Sequence, residues 1–393
     1  MRTPALRPVP AEPTSCRQPP RRTDDFRAVE KTSRWKPLAI EKDDTHAEPL
    51  QVAATPDGTI WTLHINRIRS VPSHLRRWDG SAWKTFDIPP VPVQGPLDRN
   101  SNPYDVEELA VTSARRVSVF GRPQYAHNSS GPGLFVHTLD KGRWRSEIFP
   151  IASSSHSVNA HGPWLRYGRQ ALRWNGSAWR SYRLPAQRLS VPAQGESALA
   201  GRGDEFWAVG FRGRDGFRMG MLRWKGTGWQ EIGMPALDDP AKGALAGGRK
   251  VIDTLLTIKD VAVLGPADVW VVGAAAMLVA TGEDEEMDFR PLALHWNGGS
   301  WRCHWGPVPT SGDQSRWFEQ AEPDGSGGMW TATSVGELWH LSGGRWTRGR
   351  LPDSDGCTAH GARLVLRPGT REVYALGAYR CGREDRSALW RTR

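Results

Sequence analysis

The sequence predicts an all-β fold, a seven-bladed β-propeller of four-stranded antiparallel blades, with six blades as the alternative. Three observations lead to this prediction. The composition is rich in Gly, Pro and Trp, with 42, 30 and 20 of 393 residues; Gly and Pro interrupt helices, whereas Trp suits a half-buried pleated surface. A hairpin with two tryptophans around a glycine turn recurs along the chain. A single strand near the N-terminus can supply the strand that the last blade lacks.

The recurring hairpin has its clearest copy in HWNGGSW, residues 295–301. Its relatives are RWDGSAW (77–83), RWNGSAW (173–179) and RWKGTGW (223–229). Short apolar and aromatic runs separated by a Gly-containing turn are typical of β-hairpins. We therefore assign the two arms of this motif to the third and fourth strands of a blade.

The best-formed unit spans residues 255–309. The segment DVAVLGPADVWVVGA predicts two strands around a turn at GPAD, with the second strand ending at Gly273. A long loop is expected next, followed by the tryptophan hairpin, which Pro307 and Pro309 end. The unit is thus a four-stranded antiparallel meander.

The same unit can be traced along the chain through its second and fourth strands. Second strands are predicted around Trp61, Gly121, Trp164, Trp207, Trp270, Trp330 and Tyr374. Fourth strands are predicted to open at Trp83, Trp144, Trp179, Trp229, Trp301 and Trp346. The chain ends after a seventh third strand, so the segment SRWKPLAI around Trp35 is expected to complete the last sheet and close the ring, as a propeller requires. Two weak units, with Ser118 in place of an aromatic residue and Trp164 out of line, keep six blades open as the alternative.

Residues 33–393 are expected to form this single propeller domain, and residues 1–32 a disordered tail rich in Pro and Arg. The longest apolar run, residues 269–280, is shorter than the roughly 18 residues of a membrane span. The N-terminus lacks the apolar segment of a signal peptide. The chain as given is therefore expected in the cytoplasm, or secreted if the true start lies upstream.

Charge and cysteine content limit the classes of partner and site. The net charge is +10, but basic residues are spread along the chain, so a nucleic-acid partner is not expected. None of the four cysteines has CxxC spacing, which argues against a zinc site. Cys357 and Cys381 fall in loops on one predicted face and are a candidate disulfide, with two free thiols as the alternative; a disulfide would imply export. Cys16 lies in the tail and Cys303 on a strand.

Candidate binding residues come from the loops that join strand four to strand one and strand two to strand three, because these share one face. The residues in or beside them are His46, His64, His74, Tyr125, His127, His156, His360 and Tyr379. Histidines near one mouth could bind a metal or act in acid–base catalysis, or they are exposed bystanders. No HxH, HxxxH or HExxH spacing is present, so no metal ligand, catalytic residue or cofactor is assigned. The acidic segment TGEDEEMDF, residues 281–289, is expected in a solvated two-to-three loop.

The repeats resemble known propeller families. A second strand ending aromatic-x-x-Gly, followed by a Trp that opens the fourth strand, resembles Kelch repeats and the central propeller of galactose oxidase. The W-N/D-G-x-x-W hairpin is similar to tectonin-type lectin repeats, which would imply glycan binding. The resemblance covers nearly all of residues 33–393, although WAVGF and WVVGA have one Gly where Kelch repeats usually have a pair. The copper site of galactose oxidase has no counterpart here, so that activity is not carried over.

Three functions are compatible with these patterns. The first is a non-enzymatic binding propeller, expected as a monomer, that presents variable loops on one face to a protein or ligand. The second is a lectin-like carbohydrate-binding propeller. The third is a hydrolase or lyase with a histidine site at the channel mouth. Because nucleotide-binding glycine motifs and a G-x-S-x-G elbow are missing from the sequence, an enzyme is the less favoured reading.

Overall fold

A computed structural model gives the structure of the chain. It describes residue 16 and the ranges 35–40, 47–66, 73–90, 105–122, 134–149, 155–159, 162–167, 170–175, 178–184, 199–202, 205–212, 218–235, 237, 250–281, 284–306, 316–354, 356–382 and 384–392. All extended elements in these ranges are β-strands joined in antiparallel four-stranded sheets. The described residues contain no helix long and apolar enough to cross a membrane.

The chain divides into two compact units. The first unit contains Cys16 and the described parts of 184–323 and 327–349. Its described strands form three meanders. The first consists of β14 (Leu199–Arg202), β15 (Glu205–Arg212), β16 (Arg218–Lys225) and β17 (Trp229–Ile232), and the second of β18 (Lys250–Gly265), β19 (Asp268–Thr281), β20 (Asp284–Trp296) and β21 (Trp301–Trp305). The third consists of β22 (Phe318–Pro323), β23 (Met329–Thr333), β24 (Leu338–Ser342) and β25 (Arg345–Gly349).

The second unit contains the described parts of 33–183, 324–326 and 350–393. Three of its sheets are meanders of β2 (Ala47–Ala54), β3 (Ile60–Asn66), β4 (His74–Trp78) and β5 (Trp83–Asp87); of β6 (Asp105–Ser113), β7 (Arg116–Arg122), β8 (Leu134–Asp140) and β9 (Arg143–Phe149); and of β10 (Ser155–Asn159), β11 (Gly162–Tyr167), β12 (Gln170–Trp174) and β13 (Trp179–Arg183). The fourth, here called the closing sheet, consists of β26 (Thr358–Leu366), β27 (Val373–Cys381), β28 (Glu384–Thr392) and β1 (Trp35–Ile40).

The structure supports a propeller of four-stranded antiparallel blades. The blade count that it supports is six, the alternative above, and not seven. Strand pairing nevertheless joins the described strands into seven four-stranded sheets. The number of hydrogen-bonded sheets therefore differs from the supported number of blades, and the hydrogen-bonded pairing shows directly which strands belong to one sheet. The β10–β13 sheet contains the Trp164 unit that was out of line in the sequence.

The N-terminal strand completes the closing sheet as the sequence predicts. Strand β1 pairs antiparallel with β28, with Trp35 opposite Thr392 and Ile40 opposite Ala388. Trp35 is 3% exposed. The cluster beneath this sheet also includes Leu38, Leu376 and Leu389, so apolar packing as well as the strand hydrogen bonds holds β1 in place.

The tryptophan hairpins form the outer half of the sheets. The two rings of each complete motif are directly opposite across β4–β5, β12–β13, β16–β17 and β20–β21. Their centroids are 5.3 to 5.4 Å apart, as in Trp296 and Trp301. The four glycine-turn motifs therefore build the same aromatic pair, which stabilises each hairpin by roughly 0.2–1 kcal/mol.

Fourth-strand tryptophans also join neighbouring sheets. The Trp301 indole N–H donates to the Gly233 carbonyl, just past β17, at 2.7 Å. The Trp346 indole N–H donates to the Trp305 carbonyl at the end of β21, at 2.8 Å. The same residue position thus links each of these sheets of the first unit to the sheet before it in sequence.

The first strands carry a recurrent β-bulge, which also helps to join neighbouring sheets. Register shifts occur in β2, β6, β18, β22 and β26. After two of these bulges, a polar side chain accepts a hydrogen bond from the next first strand. Gln51 Oε1 accepts from Leu109 N at 2.7 Å, and Asp260 Oδ2 accepts from Ala321 N at 2.9 Å. The bulge turns these side chains toward the neighbouring backbone.

One predicted loop was wrong. The segment after Gly273 was expected to be a long loop that included residues 281–289, but β19 continues to Thr281 and β20 begins at Asp284. Residues 250–257, 274–281 and 284–291 form a three-stranded extension of this sheet. The strands continue despite the polar composition of residues 281–289, because the extension buries Ala274 to Met277 of its central strand.

Candidate functional site

The structure places only part of the predicted binding set. His46, Tyr125 and His127 lie outside the described residues. His156 lies on β10, but its side chain is not among those described. The placed residues are His64, His74, His360 and Tyr379, all in the second unit, on the β2–β5 sheet and the closing sheet.

His64 and His74 form a buried pair at the end of the β3–β4 ladder. They are directly opposite in register, and their rings stack with centroids 5.0 Å apart. His64 Nε2 is 2.9 Å from the Thr62 hydroxyl. The two side chains are 1% and 7% exposed. His74 is the first residue of β4 and so lies beside the predicted loop, but stacking covers both rings and neither is presented to solvent.

Tyr379 is also a buried residue rather than a loop residue. It lies on β27 and is 1% exposed. Its hydroxyl donates to the Pro352 carbonyl at 2.8 Å and accepts from the Trp390 indole N–H at 3.0 Å. The tyrosine therefore attaches the segment before β26 to the sheet, which is a structural role.

His360 is the predicted residue that remains accessible. It lies near the start of β26 with its side chain 39% exposed, and Nε2 is 3.4 Å from Asp385 Oδ1 on β28. Arg380 Nε donates to the same Asp385 oxygen at 3.2 Å. Partial burial acts to raise the pKa of Asp385, but the hydrogen bonds and positive charges of Arg380 and His360 outweigh it and lower that pKa.

A disulfide holds this end of the closing sheet together. Cys357 and Cys381 are bonded at 2.03 Å, with their Cα atoms 4.4 Å apart. The Asp353 carboxylate accepts a hydrogen bond from Ala359 N at 3.1 Å. We call the described residues here, 350–354, 356–360, 379–382 and 384–386, the closing end. Its backbone is tied by the disulfide, the aspartate and Tyr379, while its charged side chains point into solvent.

The chemistry available at the closing end is that of a charged surface. An imidazole held by a carboxylate can exchange protons. Nucleophilic catalysis would also need a hydroxyl or thiol beside the histidine, and none of the described contacts of His360 is of that kind. In the described part of the chain, no three His, Cys, Asp or Glu side chains come together as metal ligands do.

Sequence reasoning missed a second histidine–aspartate pair, in the first unit. His295, the first residue of HWNGGSW, stacks on Trp270 at 4.0 Å between centroids, and its Nε2 is 2.9 Å from Asp268 Oδ1. The same arrangement recurs in another sheet, where the Trp330 and His340 rings stack with their centroids 4.3 Å apart. A histidine in register with a second-strand tryptophan was therefore the signal for this contact. Because these imidazoles cover the second-strand tryptophans, they are part of the sheet packing.

The base of the three-stranded extension carries an aromatic and charged cluster. The Phe289 and Trp317 rings are 5.2 Å apart, and Lys259 Nζ lies 5.4 Å from the Trp317 centroid. Arg290 is 3% exposed and makes a two-pronged ion pair with Asp288, at 2.7 and 2.9 Å. Such a buried pair is costly unless it is fully hydrogen-bonded, and here the two-pronged contact fixes β20 of the extension.

A second disulfide was not expected. Cys16, in the segment predicted to be disordered, is bonded to Cys303 on β21 and forms an isolated bridge with Leu237. Cys16 is fully buried in the core of the first unit. With both pairs formed, the described chain has no free cysteine.

The hairpin tryptophans do not form exposed platforms. Nineteen of the 20 tryptophans have described side chains, and each of these is buried or partly buried. The large apolar side chains that are exposed in the described residues are Ile40, Ile148, Met287 and Val335. A ring of sugar-stacking indoles is therefore not what these hairpins provide.

Comparisons with known proteins give no family. No family model matches the chain, and no curated protein matches it. Among solved structures, an ulvan lyase of polysaccharide lyase family PL25 is 11% identical, with 90% of this chain and 94% of that chain covered and a TM-score of 0.49.

Two other propellers are similarly distant. The β-propeller domain of the Trilobed protease from Pyrococcus furiosus is 8% identical, with coverage of 88% and 95% and a TM-score of 0.48. The C-terminal WD40 domain of Sif2 is 10% identical, with coverage of 92% and 99% and a TM-score of 0.41. With TM-scores below 0.5, these similarities carry no argument about this chain, and the fold rests on its own strand pairing.

Proposed function

We propose that this chain is a non-enzymatic binding propeller and that the closing end is the surface it presents to a protein partner. The observation that supports this most directly is a rigid backbone combined with exposed charge. The Cys357–Cys381 bond fixes the segment, while Arg380 and Asp385 are 61% and 55% exposed. A surface that is already ordered loses little conformational entropy when a partner binds.

The charges at the closing end are mixed. Arg350 and Asp353 form an ion pair at 2.9 Å beside the group of His360, Arg380 and Asp385. Exposed pairs of this kind add little stability, but they favour a complementary partner and its correct orientation. A polar, charged rim of this type supports a protein contact more than an enclosed small-molecule site.

The two alternatives have less support. The lectin reading, together with the Kelch-like and tectonin-like resemblance, depended on the hairpins, whose tryptophans are covered. The hydrolase or lyase reading depended on histidines at one mouth; His360 has an aspartate beside it, but His64 and His74 are buried. The monomeric state and the single domain of residues 33–393 remain predictions.

A charge reversal at one end of the closing sheet tests the proposal. Arg380→Glu changes the closing end, and Arg371→Glu changes an exposed arginine in the β26–β27 turn of the same sheet. We expect cross-linking mass spectrometry in the native extract to recover the same partners with the wild type and Arg371→Glu, and to lose them with Arg380→Glu. Full recovery with Arg380→Glu, or no cross-linked partner for any of the three proteins, would contradict the proposal.

We also infer that the protein acts in an oxidising compartment. Both disulfides link residues far apart in sequence, by 287 and 24 positions, and such bonds persist where thiols are not kept reduced. This favours the secreted alternative over the cytoplasm. Thiol labelling of the protein taken directly from its native cells should leave all four cysteines unmodified; labelling of all four would overturn the inference.

A further inference from the structure

We propose that the fourth strands of the second unit bind an acidic polysaccharide. The proposal concerns a surface separate from the closing end; it does not depend on the partner-binding role of that end, but its choice of ligand rests on the oxidising compartment inferred above. It begins from one register position that recurs in all four sheets of this unit.

The position is the fourth-strand residue in line with the second-strand aromatic residue, or with Ser118, which stands at that place in the β6–β9 sheet. In the β2–β5 sheet, Trp61 is opposite Arg77, and Arg77 is opposite Lys84. The corresponding fourth-strand residues in the other three sheets are Arg145, Arg180 and Lys36. Every sheet of the second unit therefore has a basic residue there, whereas the first unit has Gln230, Arg302 and Thr347.

The basic residue at this position is directly opposite another basic residue in three sheets, and in one of them the partner of Lys36, Arg391, is held by Glu372. In the other two sheets it works against sheet stability. Arg77 is directly opposite Lys84, and Arg173 is directly opposite Arg180. Like charges in directly opposite positions destabilise a strand pair. The third-strand member of the first pair has a structural purpose, because the Arg77 guanidinium lies 5.9 Å from the Trp61 ring. The fourth-strand member, Lys84, adds a second positive charge, and its own ring contact is with the partly exposed Phe86 on the same strand.

The four basic side chains are available to a ligand. Lys36, Lys84, Arg145 and Arg180 are all exposed. None of them forms an ion pair with a carboxylate of the described residues, in contrast to Arg391, which Glu372 holds at 3.0 Å. Each of these exposed cations thus adds a positive charge to the fourth strand of a different sheet.

Partly exposed aromatic rings accompany two of the charges. Phe86 and Tyr182 lie two residues after Lys84 and Arg180, on the same face of each strand. Lys84 Nζ is 5.1 Å from the Phe86 centroid. A cation beside an aromatic ring suits a ligand with a negative group and a flat apolar surface, such as a uronic or sulfated sugar residue.

Single-stranded nucleic acid has the same two features. The disulfides Cys357–Cys381 and Cys16–Cys303 favour the polysaccharide, because such bonds are rare in the cytosol and nucleus, where most nucleic acid lies, and persist in the oxidising compartment inferred above. We therefore assign the surface to an acidic polysaccharide and make nucleic acid an outcome of the test.

The test compares two triple variants of the full chain. Lys84→Gln/Arg145→Gln/Arg180→Gln removes three of the fourth-strand charges, and Lys225→Gln/Arg302→Gln/Arg345→Gln removes three exposed charges of the first unit. Binding to heparin, to neutral dextran and to oligothymidylate is measured at about 0.15 M salt, where unspecific attraction is largely screened. Circular dichroism melting establishes that each variant is folded.

We expect the wild type and the first-unit variant to bind heparin with equal affinity. The second-unit variant should bind roughly tenfold more weakly, because it loses three exposed ion pairs with the ligand and each contributes little by itself. Dextran should not bind. Equal weakening in both variants would show that net charge alone is responsible and would overturn the site. Tighter binding to oligothymidylate than to heparin would overturn the ligand class, and no heparin binding by the wild type would overturn the proposal.

Discussion

The tryptophan pair of HWNGGSW allows a matched test of what the fourth-strand indole contributes. Trp296 and Trp301 are opposite each other in one hairpin, and each is 2% exposed. Trp301 donates to the Gly233 carbonyl at 2.7 Å, whereas the buried Trp296 Nε1 has no hydrogen-bond partner among the described residues. Trp301→Phe and Trp296→Phe therefore remove the same atoms from similar surroundings and differ in one hydrogen bond.

The expected difference follows from these contacts. Both substitutions lose aromatic packing by a similar amount. Trp301→Phe also loses a hydrogen bond that contributes about 0.5–1.5 kcal/mol. Trp296→Phe removes a buried N–H that has no acceptor, which relieves roughly 1–3 kcal/mol of desolvation cost. Trp301→Phe should therefore be the less stable variant by roughly 1.5 kcal/mol or more.

Urea unfolding of the full chain, followed by far-ultraviolet circular dichroism, measures this difference. The change in midpoint is interpreted only if the slope is the same in the two variants. If Trp296→Phe were as destabilised as Trp301→Phe, or more so, the link between neighbouring sheets through the indole N–H would not contribute as described. Trp346→Phe, which loses the bond to the Trp305 carbonyl, should resemble Trp301→Phe.

Three further predictions follow from the second unit. Cys357→Ser/Cys381→Ser should lower the free energy of unfolding by roughly 3 kcal/mol, as expected for a link across 24 residues, measured under non-reducing conditions; an unchanged midpoint would contradict this. Tyr379→Phe loses two buried hydrogen bonds and should cost about 2 kcal/mol in the same assay, more than Tyr374→Phe, whose hydroxyl bonds to the partly exposed Glu372. Burial lowers the pKa of His137 to about 4 in the folded protein, below the 6.5 of the unfolded chain. As the pH falls, the unfolded chain therefore takes up the proton before the folded protein does. The contribution of His137 to stability is complete above about pH 6.5 and is lost as the pH falls toward 4. His137→Gln should flatten the pH dependence of the melting temperature in that window, and an unchanged slope would contradict the reasoning.

Much of the fold could be predicted because its signals are local. Most second strands have an aromatic residue near their start, as Trp61, Trp207 and Trp270 show, and most fourth strands open near a tryptophan after a glycine turn, so a few neighbouring residues specify each hairpin. The pairing of β1 with β28 followed from counting, since one sheet lacked a fourth strand and one strand lacked a sheet.

The extension of β18–β20 was missed because its two signals conflict. The run GAAAMLVA is apolar, but the following GEDEEMD is acidic, and polar composition suggested a loop. The alternation of Met287 and Phe289 with acidic residues was the available indication of a strand. Pairing with β19 settled the outcome, which depends on residues far outside any local window.

The candidate site was harder to predict because it depends on distance and burial. Spacing placed His360 and Tyr379 near one end of the closing sheet but could not show that Tyr379 is buried and His360 accessible. The Cys16–Cys303 bond joins residues 287 positions apart, and no local pattern relates them. Histidine stacking on tryptophan becomes visible only when the strands are in register.

The position of β1 in the closing sheet has a consequence for the order of folding. Residues 35–40 are synthesised early but obtain their strand partner only when residues 384–392 have left the ribosome. Until then β1 has no strand partner, and β27 lacks the neighbour on its second edge. Contacts of such long sequence separation form slowly. Completion of this sheet should therefore be a late folding step after synthesis, and a chain released before β28 would expose two incomplete edges.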